Sequence, residues 1–141
     1  MRAGKRNGDA DLVTRVARMA RGSQTGPQAE LAEHFAQLYY LGADPQELAA
    51  RDLIDLAGAA AAHLDFGRRH AGGASKVQVF NPRLEEHGWQ STHTVVQIVG
   101  DDMPFLVDSA TMEINRQGLA LHLVIHPVLR VQRDARGKLQ D

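Results

Sequence analysis

The adjacent carboxylates Asp101 and Asp102 are the most chemically suggestive pair in the sequence, standing between a β-rich run and the Pro104 that opens a helical one. Free amides at a helix start attract anions and other hydrogen-bond acceptors. Two carboxylates there repel an anionic ligand, so the plainer role is capping the helix, with contact to a small polar ligand as the alternative. His93, His122 and His126 carry imidazoles of the kind that hold zinc. On an extended strand, however, His122 and His126 stand ~13 Å apart at ~3.3 Å per residue, too far to share one ion. His93 can join only one of them, and all three read as structural histidines on a sheet face. Glu85, Glu86 and His87 offer acid and base groups ahead of Trp89 and read as a solvated turn that packs the indole on the sheet. Arg68-Arg69-His70 reads as an exposed cluster at a helix C-terminus, where positive charge is favourable without a partner. The patterns G-x-G-x-x-G, G-x-x-x-x-G-K, G-x-S-x-G and H-E-x-x-H are missing, which weighs against a self-contained enzyme and assigns no catalytic, cofactor-binding or metal residue.

Helices and short strands must position these groups. Residues 1–10 are basic and polar and are expected to be a disordered lead-in. Leu12, Val13, Val16, Ala17 and Ala20 recur at helical spacing up to Gly22. A second helix starts near Pro27 and presents Leu31, Phe35, Leu38 and Tyr39 on one side before Gly42. Asp44-Pro45-Gln46-Glu47 has the form of a capped start to a short helix over Leu48 to Arg51. From Asp52 to His70 a longer helix carries Leu53, Leu56, Ala60, Leu64 and Gly67 in one stripe, and small residues over 57–62 permit close helix contact. Gly72-Gly73 separates this helical half, 11–71, from a β-branched half, 74–141. In the second half Val77, Val79 and Phe80 mark a strand and His93 to Val99 another. Pro104 opens a helix capped by Asp101 or Asp102 and closed by Gly118, with Leu106 or Val107, Ala110 and Ile114 inward and Asp108, Glu113 and Arg116 outward. Leu119 to Ile125 completes a strand–helix–strand unit, with Leu119, Leu121, Leu123 and Ile125 pointing one way. The fold class is therefore α+β, a helical segment followed by a partial sheet domain, and the chain reads as a piece of something larger.

Composition narrows the setting. With 141 residues, 43% hydrophobic and 23% charged, the chain has the make-up of an ordinary globular protein with one modest core. Sixteen basic against seventeen acidic residues give a formal charge of -1, which favours neither nucleic acid nor an anionic membrane. There is no cysteine, hence no disulfide or thiolate site, as suits a reducing cytoplasm. No run reaches the ~18 apolar residues of a membrane span, and residues 1–10 lack the apolar core of a secretory signal.

Two stretches, LEEHGWQSTHTVVQIVGDDMPFLVDS and GLALHLVIHPVL, resemble the N-terminal region of the large bacterial NAD-specific glutamate dehydrogenases. FAQLYYLGADPQELAARDLIDLAGAAAAH is similar to the helical segment that opens the same proteins, so the likeness covers about Leu31 to Asp141. The resemblance implies a parent enzyme that converts L-glutamate to 2-oxoglutarate and ammonium with NAD. Its catalytic lysine and dinucleotide fold lie far downstream, so the cofactor belongs to the parent and not to this chain. The second half is similar to the start of an ACT domain, a ferredoxin-like module with an antiparallel sheet that pairs with copies of itself and binds amino acids. Such domains open their first helix with an acidic residue, one intervening residue, then Pro-Gly. Asp102-Met103-Pro104-Phe105 fits except at Phe105, whose side chain obstructs the approach that glycine allows. The ligand contacts that the resemblance implies are Asp101, Asp102 and the amide of Phe105, and the implied partners are the rest of the parent enzyme, further copies of the chain and an amino-acid effector.

In a ferredoxin-like sheet a third strand separates the two on either side of the first helix. Asp134-Ala135-Arg136-Gly137 has the form of a turn into it, and Lys138 to Asp141 only begins it. The slot is then filled in part by the strand at Lys76 to Phe80, supplied by another copy, or left loose. The first reading is a regulatory or assembly region of the dehydrogenase. A free-standing amino-acid sensor at Gly100 to Phe105 and an interaction domain docking through Leu31, Phe35 and Leu38 are the alternatives.

Overall fold

A computed structural model describes residues 2–22, 24–70 and 74–140, with side chains from Leu12 onward. The elements run α1 (Arg2–Gly22), α2 (Pro27–Tyr39), α3 (Pro45–Ala49), α4 (Leu53–Gly67), β1 (Lys76–Phe80), α5 (Leu84–His87), β2 (Val95–Val99) and α6 (Leu106–Arg116). The architecture is α+β, a helical N-terminal segment followed by a partial sheet unit. Helix α1 is longer than the periodicity suggested, because its backbone is helical from Arg2 through the segment expected to be disordered. The Gly72-Gly73 boundary lies outside the described residues.

Alanine decides how the helices meet. In α2 the buried residues are Ala29, Ala32, Ala36 and Tyr39, whereas Leu31 and Phe35 are half-buried and Leu38 is exposed. Of the stripe read from the sequence, Tyr39 is buried as expected and Phe35 packs against the core, whereas Leu31 and Leu38 lie toward the rim, because small side chains let helix axes approach more closely. Val16, Ala17 and Ala20 of α1 join Ala36, Tyr39, Tyr40, Leu48, Leu56, Ala57 and Ala60 in one core. The Tyr40 hydroxyl donates to the Leu56 carbonyl at 2.6 Å, satisfying the one polar atom this buried side chain brings inside. Asp44 caps α3 as expected, its carboxylate accepting from the Gln46 amide at 3.0 Å.

β1 and β2 pair antiparallel with Lys76 opposite Val99 and Phe80 opposite Val95. Side chains alternate across this ribbon. Lys76, Phe80 and the buried Gln97 lie on the face turned to α4, while Val77, Val79 and Val96 are exposed on the other. Lys76 fixes the ribbon to the helix: its ammonium donates to the carbonyls of Phe66 and Arg69, each at 2.8 Å, and lies 4.6 Å from the centre of the Phe66 ring. A cation suits the carbonyl end of a helix.

Three expectations are corrected. Leu119–Ile125 is not a strand, since no described residue forms a ladder with it; Leu123 and Ile125 pack half-buried against the helical core instead. A strand exists only by hydrogen bonding to a neighbour, and α6 does not bring this stretch alongside β2. Neither Asp101 nor Asp102 caps α6, which begins one residue after Phe105 with no side-chain cap. His70 is buried and not exposed. The Asp134–Gly137 turn does form, but Leu139 donates to the Arg68 carbonyl at 2.7 Å and His70 to that of Gly137 at 2.9 Å, so the hairpin docks on the exit of α4 and not beside β2.

Candidate functional site

An open hollow of about 2130 Å³ lies between α2, β2, α6 and the stretch after Gly118. Leu31 and Phe35 line it from α2, Val96 and Ile98 from β2, and Leu106 and Ile114 from α6. Ligand pockets for small molecules run to roughly 300–1,000 Å³, so this space is wide enough for secondary structure. Helix α6 explains the openness. Its apolar stripe is as expected, Leu106, Ala110 and Ile114 with Thr111, yet no residue of the helix is fully buried.

The predicted ligand residues sit at the edge of this hollow. Asp101, Asp102, Met103 and Phe105 all contribute to its lining and are all exposed. Asp101 Oδ1 is 4.0 Å from the Nδ1 of buried His70, a tie the sequence reading missed because His70 was assigned to a solvated cluster. Phe105 has φ 64 and ψ 12, left-handed backbone, and is the only non-glycine residue with positive φ among those described. The position where the amino-acid-binding pattern has glycine therefore keeps a glycine conformation under a phenyl ring. Left-handed backbone costs an ordinary residue ~1 kcal/mol or more. Phe105→Gly is accordingly expected to raise stability by about 0.5 kcal/mol, the relief of strain offset in part by glycine's greater unfolded-state freedom. Chemical denaturation of the two proteins checks this.

A partly buried relay crosses from the helices to the sheet. The Tyr39 hydroxyl lies 2.9 Å from His63 Nδ1, and His63 Nε2 lies 3.3 Å from the Ile98 carbonyl. A carbonyl only accepts, which assigns the proton to Nε2 and makes Tyr39 the donor to Nδ1. Burial pushes the His63 imidazole below its usual pKa, opposed by the bond to Ile98, and burial pushes the Tyr39 phenol up. With the folded pKa below the unfolded one, the unfolded chain binds the proton first as pH falls. Stability is full above the unfolded histidine value of about 6.5 and is lost as pH drops through it toward the lower folded value. Melting curves from pH 8 to pH 5 are expected to show this decline, and His63→Gln to flatten it.

The remaining candidates separate. His93 and His122 stack with ring centres 4.0 Å apart, both exposed and neither on a strand, so the sheet-face placement is corrected. Among the described residues no group of three or more side chains could hold a metal ion. Glu85, Glu86 and His87 form the exposed single turn α5, and Trp89 is buried between Gly58 of α4 and Phe80 of β1, meeting the Phe80 ring edge-on at 5.9 Å. The indole's partner on α4 was invisible in sequence, being thirty-one positions away. No described helix is long and apolar enough to cross a membrane.

These features define the class: an α+β unit in which a helical segment leads into a partial ACT-like sheet module with open apolar faces. The family model for the glutamate dehydrogenase ACT1 domain matches residues 35–141, and the chain belongs to that family. It is 40% identical over 130 residues to the NAD-specific glutamate dehydrogenase of Halomonas elongata, covering 92% of this chain and 8% of that protein. To the NAD-specific glutamate dehydrogenase of Pseudomonas aeruginosa it is 42% identical over 121 residues, 85% of this chain and 7% of that protein. The chain thus spans less than a tenth of the length of these relatives. No solved structure matches it.

Proposed function

We propose that the chain is a non-catalytic regulatory and assembly region of a cytoplasmic, oligomeric NAD-dependent glutamate dehydrogenase. The parent reaction takes L-glutamate, NAD⁺ and water to 2-oxoglutarate, ammonium, NADH and a proton, with the nicotinamide cofactor held elsewhere in the parent. The observation that carries this reading is the hollow: three elements turn half-buried apolar stripes toward a space that no described residue fills. Apolar surface of this kind gains ~25 cal/mol per Å² when covered, which suits association with the rest of the enzyme. The test is Leu106→Asp with Ile114→Asp in the full-length parent enzyme. The expected result is a changed oligomeric mass or a changed response of glutamate oxidation to amino acids. A variant with the same mass, melting temperature and kinetics would sink the proposal.

A second reading, an amino-acid site at Gly100 to Phe105 using Asp101, Asp102 and the Phe105 amide, is favoured by the left-handed backbone at Phe105. Calorimetric titration with a panel of amino acids should then give saturable heat that Asp102→Ala abolishes. Silence from a folded sample removes it.

A further inference from the structure

The stretch from Ala120 to Val131 is held in place by side chains alone. Among the described residues its backbone makes no hydrogen bond: the last before it runs from the Leu119 amide to the Ile114 carbonyl at 3.2 Å, and the first after it is the Gln132 carbonyl accepting from the Gln140 amide at 2.7 Å. Leu123 and Ile125 anchor the middle of the stretch on the helical core. Ahead of them Leu119 and Leu121 are exposed, and the contact that ties this end to the sheet unit is the His122 ring stacked on His93, in the loop leading into β2. The ring centres are 4.0 Å apart and the planes 18° from parallel. An ion bound by an imidazole lies in the ring plane, and planes so nearly parallel do not converge at the ~2 Å of a metal–nitrogen bond, so the pair is a stack and not a chelate. Two neutral rings attract, as do one neutral and one charged ring through the π face. Two imidazolium ions at this spacing repel. Histidine is the side chain whose ordinary titration brings such a change of charge between pH 5 and 8.

No counter-ion is seated on the stack. The titratable and charged groups that border the hollow with it are Glu30 and His34 of α2, Glu47 of α3, Arg51, Asp52, Asp55 and His63 in and just before α4, and Arg83 and Glu85 at α5. Asp101, Asp102 and Asp108 around the start of α6 complete the set with His126, Arg130 and Arg133 on the final stretch. Among the described residues none of them hydrogen-bonds or ion-pairs with either ring. Glu47 is engaged with Arg51 at 3.3 Å, and Asp55 accepts from the Gln90 amide at 2.9 Å. We propose that the His93–His122 stack is a pH-operated clasp. While at least one ring is neutral it holds the start of the stretch against the sheet unit, and it opens when both rings carry a proton. Opening lets Leu119 to His122 swing away from the rim of the hollow, while Leu123 and Ile125 keep the rest of the stretch on the core. The clasp does not depend on the role proposed for the hollow, since it is a property of the chain's own contacts.

The chain has no cysteine, so a pair of nitroxide labels can be placed without background. Thr92→Cys and Ala120→Cys, both at exposed positions beside the stack, carry the labels, and electron paramagnetic resonance reads their separation on the whole chain at pH 7.5 and pH 5.0. The distance distribution is expected to be narrow at pH 7.5 and at least about twofold broader at pH 5.0. His122→Phe keeps a ring to stack on but removes the second charge, and should stay narrow at both pH values. His122→Ala should be broad at both. His63→Gln should leave the acid broadening intact, which separates the clasp from the decline of overall stability assigned above to His63. Circular dichroism at each pH checks that the helices stay folded, and the stacked residues are exposed, so their exchange leaves the core alone. An unchanged distribution between the two pH values, acid broadening of His122→Phe equal to that of the unsubstituted pair, or a response that disappears with His63→Gln would overturn the proposal.

Discussion

Gly58→Ala is expected to destabilise the fold by about 3 kcal/mol, at the upper end of the overpacking range, and to shift the single tryptophan within its site without expelling it. A methyl group on Gly58 would overlap Trp89 Cγ and lie 2.5 Å from its Cβ and Cδ1. On propensity alone the exchange favours a helix by ~1 kcal/mol, so the sign of the result decides between local preference and packing. Trp89 cannot yield cheaply. It is buried against Phe80, and the next residue is fastened to the same helix by the Gln90 amide donating to Asp55 at 2.9 Å. Expelling the indole forfeits burial of the kind that makes Trp→Ala changes cost ~3–5 kcal/mol, which is why a smaller rearrangement with strain is the expected compromise. Denaturant melts followed by tryptophan emission report both stability and exposure. Gly67→Ala is the control on the same helix, because there a methyl group meets only Val99 Cγ2 at 3.7 Å, ordinary contact. It should change stability by less than ~1 kcal/mol.

The second large effect is expected at the alanine seam. Ala36→Leu should cost about 3 kcal/mol and loosen the helical segment as a whole, whereas Leu38→Ala two positions on should cost less than ~1 kcal/mol. Ala36 and Ala17 are both 0% exposed and Ala60 1%, so α1, α2 and α4 meet through side chains with no atoms to spare. A leucine at that point must push the helices apart, and interiors packed to crystal density do not yield locally. Leu38 is 37% exposed and turns toward the rim, where truncation leaves no cavity. Ordinary hydrophobicity ranks the two positions the other way, which makes the pair a direct test of where this core lies. Circular dichroism melts of both variants suffice.

Much of the element order could be read from residue order because its causes are local. Pro27, the Asp44 cap and the helical spacing of the stripes in α1, α4 and α6 act within a turn or two of chain. The β-branched run ending at Val99 and the turn at Asp134 to Gly137 are equally local, set by side-chain branching and by an Asp that binds amides two and four residues on. The family was legible for a different reason, since a long uninterrupted likeness outweighs any short motif.

What residue order left open depends on partners distant along the chain. Leu119 to Ile125 has the alternation of a strand, but a strand needs a neighbour, and the hairpin expected to begin one is hydrogen-bonded to Arg68 and His70 instead. Which face of α2 goes inward was decided by α1 and α4, whose small side chains match Ala29, Ala32 and Ala36 better than they match Leu31 and Leu38. The site followed the same rule. Asp101 and Asp102 were visible as a pair, but their failure to cap α6, the approach of His70 to Asp101 and the left-handed turn at Phe105 arise only when the α4 exit, the sheet and the helix are brought to one place. Local backbone preference and capping are written in neighbouring residues. Burial, strand pairing and the meeting of side chains distant in sequence belong to contacts that the chain makes only on folding.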